Sequence, residues 1–585
     1  MTAAGERSGD GAARDADEAR VEETMVADAQ SPADHTEVEA EAAERPGTWR
    51  GRLLWSGGTV AAAVGLFIGL LAISWTYWVN SDGSGIAMQG WDMLHGNLLL
   101  SGWWTSDVSF YTFEVPIDAI VESFHGLNAG VVHITAAIAY TLLVCVAALL
   151  ARGKSRGGAG VAAALIAGGI LLAPGDVVST GILLGSPDHI GVGVPILLTF
   201  LVVDRLRERW WVPLVVCVLL LWAQLDDPTA EFAAAFALAV VCLVRVCLGL
   251  LRSTGRLVGA GNRAWLYDAG LGVAAVVSYG LTRLAVHLIR SAGGFSMRQI
   301  QQATQVQPLS QWPHQMSNTW HNALILFGAD YWDQHGTLQT TISAVHVIGA
   351  ALALIGVLAG IVSLVRRDGD RITQTLTIGT LVTLVAGAFV TPMAQGYDAH
   401  EIAVVLPLSA VLAGRTIGPW LMRRRMTRLA LIPAGGALLA AYMAFFGYYA
   451  TQPSVPARTQ TLDRWLVAHH LTNGLGRYWT GSSTRLDTGG AVQISPVDPN
   501  PQRPYPWITK PSWYNPNEHT ANFVVAGTDP SAGLVFSESA VVKAYGKPAR
   551  EYRFDGFIIM VYNQNLLRQV YKPVQPNPDT GSFHL

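Results

Sequence analysis

Apolar runs long enough to cross a membrane recur along most of the chain, separated by short polar stretches. The first covers Trp55–Val79, and ten more fall near 127–151, 159–174, 190–203, 211–224, 230–251, 268–290, 341–364, 372–391, 400–420 and 429–450. A helix needs about 20 such residues to cross ~30 Å of hydrocarbon. The pattern therefore predicts a mainly α-helical, polytopic membrane protein with about eleven transmembrane helices.

The polar stretches test this reading independently, because cytoplasmic loops collect Lys and Arg. Alternate loops are basic: Arg152/Lys154/Arg156, Arg205/Arg207/Arg209, Arg252/Arg256/Arg263, Arg366/Arg367/Arg371 and Arg423/Arg424/Arg425/Arg428. The stretches between them, 80–126, 175–189, 225–231 and 392–400, contain neither residue. The alternation predicts a cytoplasmic N-terminus in the cell membrane, a membrane domain over 51–450 and an extracytoplasmic domain over 451–585. Residues 1–50 are acidic and poor in large apolar side chains, which predicts a disordered cytoplasmic tail. They lack the early positive region and short apolar core of a cleaved signal peptide.

Two outer loops, 80–126 and 291–340, are far longer than a connection requires. Both are expected to carry short amphipathic helices at the interface, anchored by Trp91, Trp103, Trp104, Trp312 and Trp320. After residue 450 the pattern changes. An amphipathic helix over 457–473 precedes a Pro-rich stretch from Pro496 to Pro516 and strand-like runs at 522–526, 534–536 and 552–562, predicting a small α/β domain.

Composition agrees with a membrane protein: 14% of residues are charged and 51% hydrophobic, against about a quarter charged in soluble domains. A net charge of −3 offers no field for a polyanion, so no nucleic acid is expected. Cys145, Cys217, Cys242 and Cys247 all lie in apolar segments, so the outer domain has no disulfide framework.

Candidate chemistry concentrates in the first outer loop, which places Asp82, Asp92, Asp107, Glu114, Asp118 and Glu122 in one stretch without a basic residue. Asp82 follows the first span closely. There a reduced dielectric raises carboxylate basicity, which suits removal of a proton from an acceptor hydroxyl; the structural alternative is a helix cap.

The order Asp82, then Leu94-His95-Gly96-Asn97, Trp104-Thr105 and Phe110-Tyr111-Thr112-Phe113-Glu114-Val115-Pro116 resembles the first outer loop of GT-C glycosyltransferases, in the branch of aminoarabinose transferases and protein O-mannosyltransferases. The resemblance covers the architecture broadly and residues 80–126 as motif. In two places the chain departs from it: Gly83 stands where the branch often has a second acid, and Glu-Val-Pro-Ile replaces its usual Glu-Lys-Pro-Pro.

The resemblance implies inverting transfer of a sugar from a polyprenyl-phosphate carrier to an extracytoplasmic acceptor (glycan, lipid or protein). Asp82 would be the base, and Glu114 would orient acceptor or sugar with Asp107 and Tyr111 nearby. A phosphate donor needs a cationic clamp. Arg283, His287 and Arg290 share one helix face by their spacing, and Arg298 follows; the alternative is snorkelling, with a carboxylate partner for Arg283.

Further outer groups, Asp176, Asp188 and His189, Asp226 and Asp227, and Asp398, His400 and Glu401, lie at the same membrane face on this topology. Asp188, His189, Asp398 and His400 are expected substrate contacts, while helix capping is the alternative for each acid. No His-x-x-x-His spacing assigns a metal, and no cofactor is assigned, with a divalent cation left open. Trp479, Trp507, Trp513 and Tyr514 either stack on sugars or build the outer domain's core. Rival readings are a transporter of lipid-linked sugars, which would show an inverted repeat with acids at the midplane, or a non-catalytic scaffold of the cell envelope.

Overall fold

The computed structural model describes residues 49–570 except 176, 187–188, 254–263, 299–304, 333, 424 and 532. Asp176, Asp188, Arg256, Arg263, Arg424 and nearly all of the acidic tail thus lie outside the described residues. The chain divides into two compact units, Met1–Ala61 and Ala62–Leu585. The long loops, the C-terminal region and the candidate site all belong to the second.

The helices in chain order are α1 (Trp49–Ser74), α2 (Ser81–Leu94), α3 (Glu114–His125), α4 (Gly130–Arg152), α5 (Gly157–Ile170), α6 (Gly193–Arg205), α7 (Val212–Asp226) and α8 (Ala237–Ser253). They continue with α9 (Ala264–Ser291), α10 (Trp312–Leu326), α11 (Thr337–Arg366), α12 (Arg371–Phe389), α13 (Val405–Arg423) and α14 (Arg425–Ala450). Among the described residues, eight helices are long and apolar enough to cross a membrane. The other three expected spans coincide with α5, α6 and α7, whose 14, 13 and 15 residues give only about 20–23 Å at 1.5 Å per residue. The apolar run of α5 continues past the helix, which stops at Ile170 ahead of Pro174, whereas α7 ends with its own run at Asp226, ahead of Pro228.

Small residues set the bundle's spacing. A Cβ on Gly414 or Gly418 would stand 2.4 and 2.7 Å from backbone atoms of Ala163, so α13 and α5 touch main chain to main chain, as small-xxx-small faces do in membranes. Arginines gather at one end. Arg205 and Arg415 donate to the carbonyls of Leu149 and Leu150, and Arg415 also bridges Asp204 and Asp370 at 3.0 Å each.

The other end carries the long loops. Loop 80–126 contains α2 and α3, and loop 291–340 contains α10, so both hold the short helices expected. Two of the expected anchors are corrected: Trp103 and Trp104 are 2% exposed. They belong to a hydrophobic cluster with Ile86, Phe295, Ile508, Trp513 and Met560, in which the C-terminal region, not lipid, covers them. Trp320 is exposed.

The C-terminal region is α/β. It comprises α15 (Gln460–Ala468), β1 (Asn473–Gly476), α16 (Tyr478–Asp487), β2 (Gln493–Pro496), β3 (Phe523–Gly527), α17 (Glu538–Tyr545), β4 (Arg550–Phe554) and β5 (Phe557–Val561). Sheet order is β2-β1-β3-β5-β4, parallel across β2-β1-β3 and antiparallel across β3-β5-β4. The β4–β5 hairpin turns through Asp555-Gly556, both at positive φ (46° and 79°), as the two-residue turn matching strand twist demands. The run at 534–536 is not a strand; only Phe536 bridges to Ala526.

Candidate active site

Asp82 lies in the first turn of α2, capped by the Asn80 side chain accepting from the Gly83 N–H. The expected helix cap at this position is therefore Asn80, which leaves the Asp82 carboxylate to other partners. Its Oδ1 accepts from the Tyr478 hydroxyl at 2.7 Å and from Trp507 Nε1 at 3.0 Å. Both donors come from the C-terminal region, and the Ser81 hydroxyl donates to the Tyr478 carbonyl at 2.8 Å. Two donors on one oxygen fix the plane of the carboxyl group. Arg298 completes the cluster, its guanidinium 5.4 Å from the centroid of the Trp507 ring. Tyr505 feels both charges: its hydroxyl pKa is raised mainly by burial and also by Asp82, while Arg298 opposes the rise.

Gly83 accounts for the missing second acid. A Cβ there would lie 3.0 Å from Val132 Cγ1 and 3.3 Å from Asn80 Oδ1, so a larger side chain requires its neighbours to move.

The segment from Trp104 to Phe113 ties this cluster to a second one. Trp104 exchanges backbone hydrogen bonds with Thr509 (2.8 and 3.0 Å), and the Arg298 N–H donates to the Ser106 carbonyl. Farther along, the N–H groups of Ser109 and Phe110 donate to the Asp226 carbonyl, and that of Phe113 to Asp226 Oδ1 at 2.9 Å. Asp107, half-buried, lies between these anchor points. The Tyr111 hydroxyl donates to the Leu98 carbonyl, and its ring packs on Phe295.

The second cluster is buried. Glu114, 1% exposed, opens α3 against Asp226. Its carboxyl is held well above the usual range, first by complete burial and next by the charge of Asp226, which favours the protonated form. Asp227 sits next along the chain, and its Oδ2 is 2.7 Å from His189 Nδ1. Burial pushes the Asp227 carboxyl upward, but His189 and the Thr229 N–H together hold it below its ordinary value.

His189 adopts φ +54°, an uncommon conformation for a side-chain-bearing residue, and stacks on His400 with ring centroids 5.3 Å apart. His400 Nδ1 faces the Tyr397 carbonyl at 2.6 Å, and its Nε2 is 3.7 Å from Glu401. Ligand atoms of His189, His400 and Glu401 all lie within 4.8 Å of one another. With each Nδ1 turned to an oxygen, a cation would meet Nε2, the arrangement by which outer partners orient metal-binding imidazoles. This mixed nitrogen and oxygen set suits a divalent transition metal such as zinc. It emerges from residues far apart in the chain, which spacing rules do not reach.

The other predicted residues fall elsewhere. Arg283 donates at 2.8 Å to both carboxylate oxygens of Glu231 and stacks on Tyr279 at 4.8 Å, so the carboxylate-partner alternative describes it. His287 is exposed and Arg290 half-buried on α9. Asp398 accepts from the Ala394 N–H at 2.7 Å and closes a turn. Asp188 lies outside the described residues. Of the four cations expected at the donor phosphate, Arg298 is the one the structure brings beside the Asp82 cluster. Sequence reasoning passed over Tyr478, Tyr505 and Glu231; only Trp507 among the Asp82 partners carried a signal, as an aromatic of the Pro-rich stretch.

No family model matches the chain, and no curated protein matches it. Among solved structures, it is similar to ArnT from Cupriavidus metallidurans in the apo state, at 12% identity and TM-score 0.49, covering 88% of this chain and 99% of that one. The same protein bound to undecaprenyl phosphate gives 13% and 0.47, covering 87% and 98%. The apo oligosaccharyltransferase of Archaeoglobus fulgidus gives 13% and 0.40, covering 80% and 69%.

Proposed function

We propose that this protein is a membrane glycosyltransferase that moves a sugar from a polyprenyl-phosphate donor to an extracytoplasmic acceptor, with Asp82 as general base. One observation carries the reading. A carboxylate at the exit of the first membrane helix is clamped by Tyr478 and Trp507 within a cluster that also contains the guanidinium of Arg298.

In the proposed step, the acceptor hydroxyl gives its proton to Asp82 as its oxygen bonds to the anomeric carbon. The bond from that carbon to the phosphate oxygen breaks, and its electron pair leaves with the polyprenyl phosphate. Arg298, beside Trp507 in the same cluster, would offset the charge growing on that phosphate. The two donors, Tyr478 and Trp507, hold the Asp82 carboxyl group in place for that proton. Attack opposite the leaving phosphate inverts the anomeric centre.

Loop 104–113 carries Asp107 and Tyr111 between the Asp82 cluster and the His189 cluster, where acceptor or sugar contacts are needed. His189, His400 and Glu401 fit a divalent cation, which when bound would add positive charge near the leaving phosphate. Asp227 holds His189 for that role, and the His400 ring is held by the Tyr397 carbonyl.

The test is Asp82→Asn, which preserves size while removing the base. With a labelled polyprenyl-phosphate sugar and detergent-solubilised protein, the variant is expected to reach the membrane at normal levels and lose transfer. Transfer at the wild-type rate would overturn the proposal.

A further inference from the structure

The C-terminal region holds a cavity of about 250 Å³, lined in part by the Lys510 that pairs with Asp92 of α2, and the proposed transfer step does not use it. Arg485, Lys510 and His519 line it together with Asn473, Gln493 and Trp513. We propose that this cavity is a binding site for an anionic sugar unit, one hydroxyl-rich ring bearing a carboxylate or a phosphate.

Charge is the first argument. Lys510 is ion-paired with Asp92, and Asp92 also accepts from Trp103 Nε1 at 2.8 Å and from Asn97 at 3.3 Å. Arg485 donates to a neutral atom, Gln493 Oε1, at 2.5 Å, and lies 6.0 Å from the Trp513 centroid. The acid acting on Arg485 is this same Asp92. Two permanent cations therefore share one carboxylate, and the cavity keeps a net positive charge. Desolvation works against the Arg485 charge. A guanidinium remains charged regardless, so an anion entering the cavity relieves that cost, and a planar fork suits carboxylate or phosphate oxygens.

Size and lining give the second argument. The volume falls below the roughly 300–1,000 Å³ of sites for drug-sized ligands, which limits the occupant to a single small ring. Asn473, Gln493 and Ser495 present amide and hydroxyl groups around it, the chemistry that recognises sugar hydroxyls.

Position gives the third. Tyr478, which clamps Asp82, and Arg485 lie on the same helix, α16, about 10 Å apart along the axis. Asp82 and Asp92 are likewise two points on α2, about 15 Å apart. A short oligosaccharide spans that distance. An acceptor glycan held here by its acidic unit presents a hydroxyl farther along its chain to Asp82. This last step rests on the proposed transfer reaction; anion binding in the cavity does not.

The experiment is calorimetric titration of the full chain in detergent with glucuronate, with glycerol phosphate, and with glucose as the uncharged control. At least one anion is expected to bind saturably, glucose at least tenfold more weakly, and the preferred anion tells carboxylate from phosphate. R485Q should weaken that binding at least tenfold, whereas R485K, which keeps the charge, should retain most of it. D82N should bind as wild type does, so loss of transfer in D82N with anion binding intact separates the two claims. Absence of binding by both anions, glucose binding as tightly as they do, or R485Q and R485K both binding like wild type would overturn the site.

Discussion

The hydroxyl of Tyr478 donates to the carboxylate of Asp82 at 2.7 Å across 396 residues of chain. The bond joins the N-terminus of α2 to the first turn of α16, so the candidate base is held by the C-terminal region and not by its own loop. Tyr478→Phe removes one donor to a charged acceptor, a bond worth about 1.5–3 kcal/mol, while keeping the ring that packs on Tyr505. Transfer from a labelled donor should fall by roughly 10- to 100-fold with expression unchanged. A variant as fast as wild type would show that Asp82 needs no clamp.

The bundle was largely legible because apolar runs and arginine alternation are local signals that lipid enforces along the whole chain. The runs at 522–526 and 552–562 were legible as strands because Phe523–Gly527 and Phe557–Val561 are rich in β-branched and aromatic residues, although the second run is two strands, β4 and β5, parted by the Asp555-Gly556 turn. Strand β1, Asn-Gly-Leu-Gly, carries no such preference and is extended only because β2 and β3 flank it. The candidate site was half legible. Asp82 and His189 stood out by type and place, but their partners Tyr478 and Asp227 became partners through tertiary contact. Trp103 and Trp104 read as lipid anchors because nothing local announces the domain that covers them.

Asp463 and Asp487 face each other through the Thr459 hydroxyl, which lies 2.9 and 3.4 Å from their carboxylates. Burial raises Asp463 to about 6; burial, then the Asp463 charge, raises Asp487 to about 7. Because the folded state holds these protons more tightly than the unfolded chain, stability falls as pH rises from about 4 to 7 and the cost is fully present above 7. Asp487→Asn removes one of the paired charges. Its stability in detergent, read by the melting temperature, should exceed wild type at pH 8 by a free energy on the order of 1–3 kcal/mol, and the gap should narrow as pH falls and close near pH 4. A gap that widens toward acid would contradict the pairing.

Glu114 tests whether the buried acid works by charge or by hydrogen bonding. Enclosed against Asp226 and fully buried, its carboxyl is held well above the ordinary range, which favours the protonated form, and Asp226 in turn holds the Thr112 and Phe113 N–H groups at 3.1 and 2.9 Å. A neutral carboxylic acid and a carboxamide both donate to such a neighbour, so Glu114→Gln should keep the 109–113 turn in place and retain transfer within about threefold, a difference under 1 kcal/mol. Glu114→Ala removes the donor and leaves a cavity beside a buried carboxylate, at a cost of about 1–3 kcal/mol. It should lower both the melting temperature and the transfer rate, since Asp107 and Tyr111 ride on the same segment. If Glu114→Gln instead abolishes transfer while melting like wild type, the carboxyl must ionise during turnover, and Glu114 belongs with Asp82 among the groups that exchange protons with substrate.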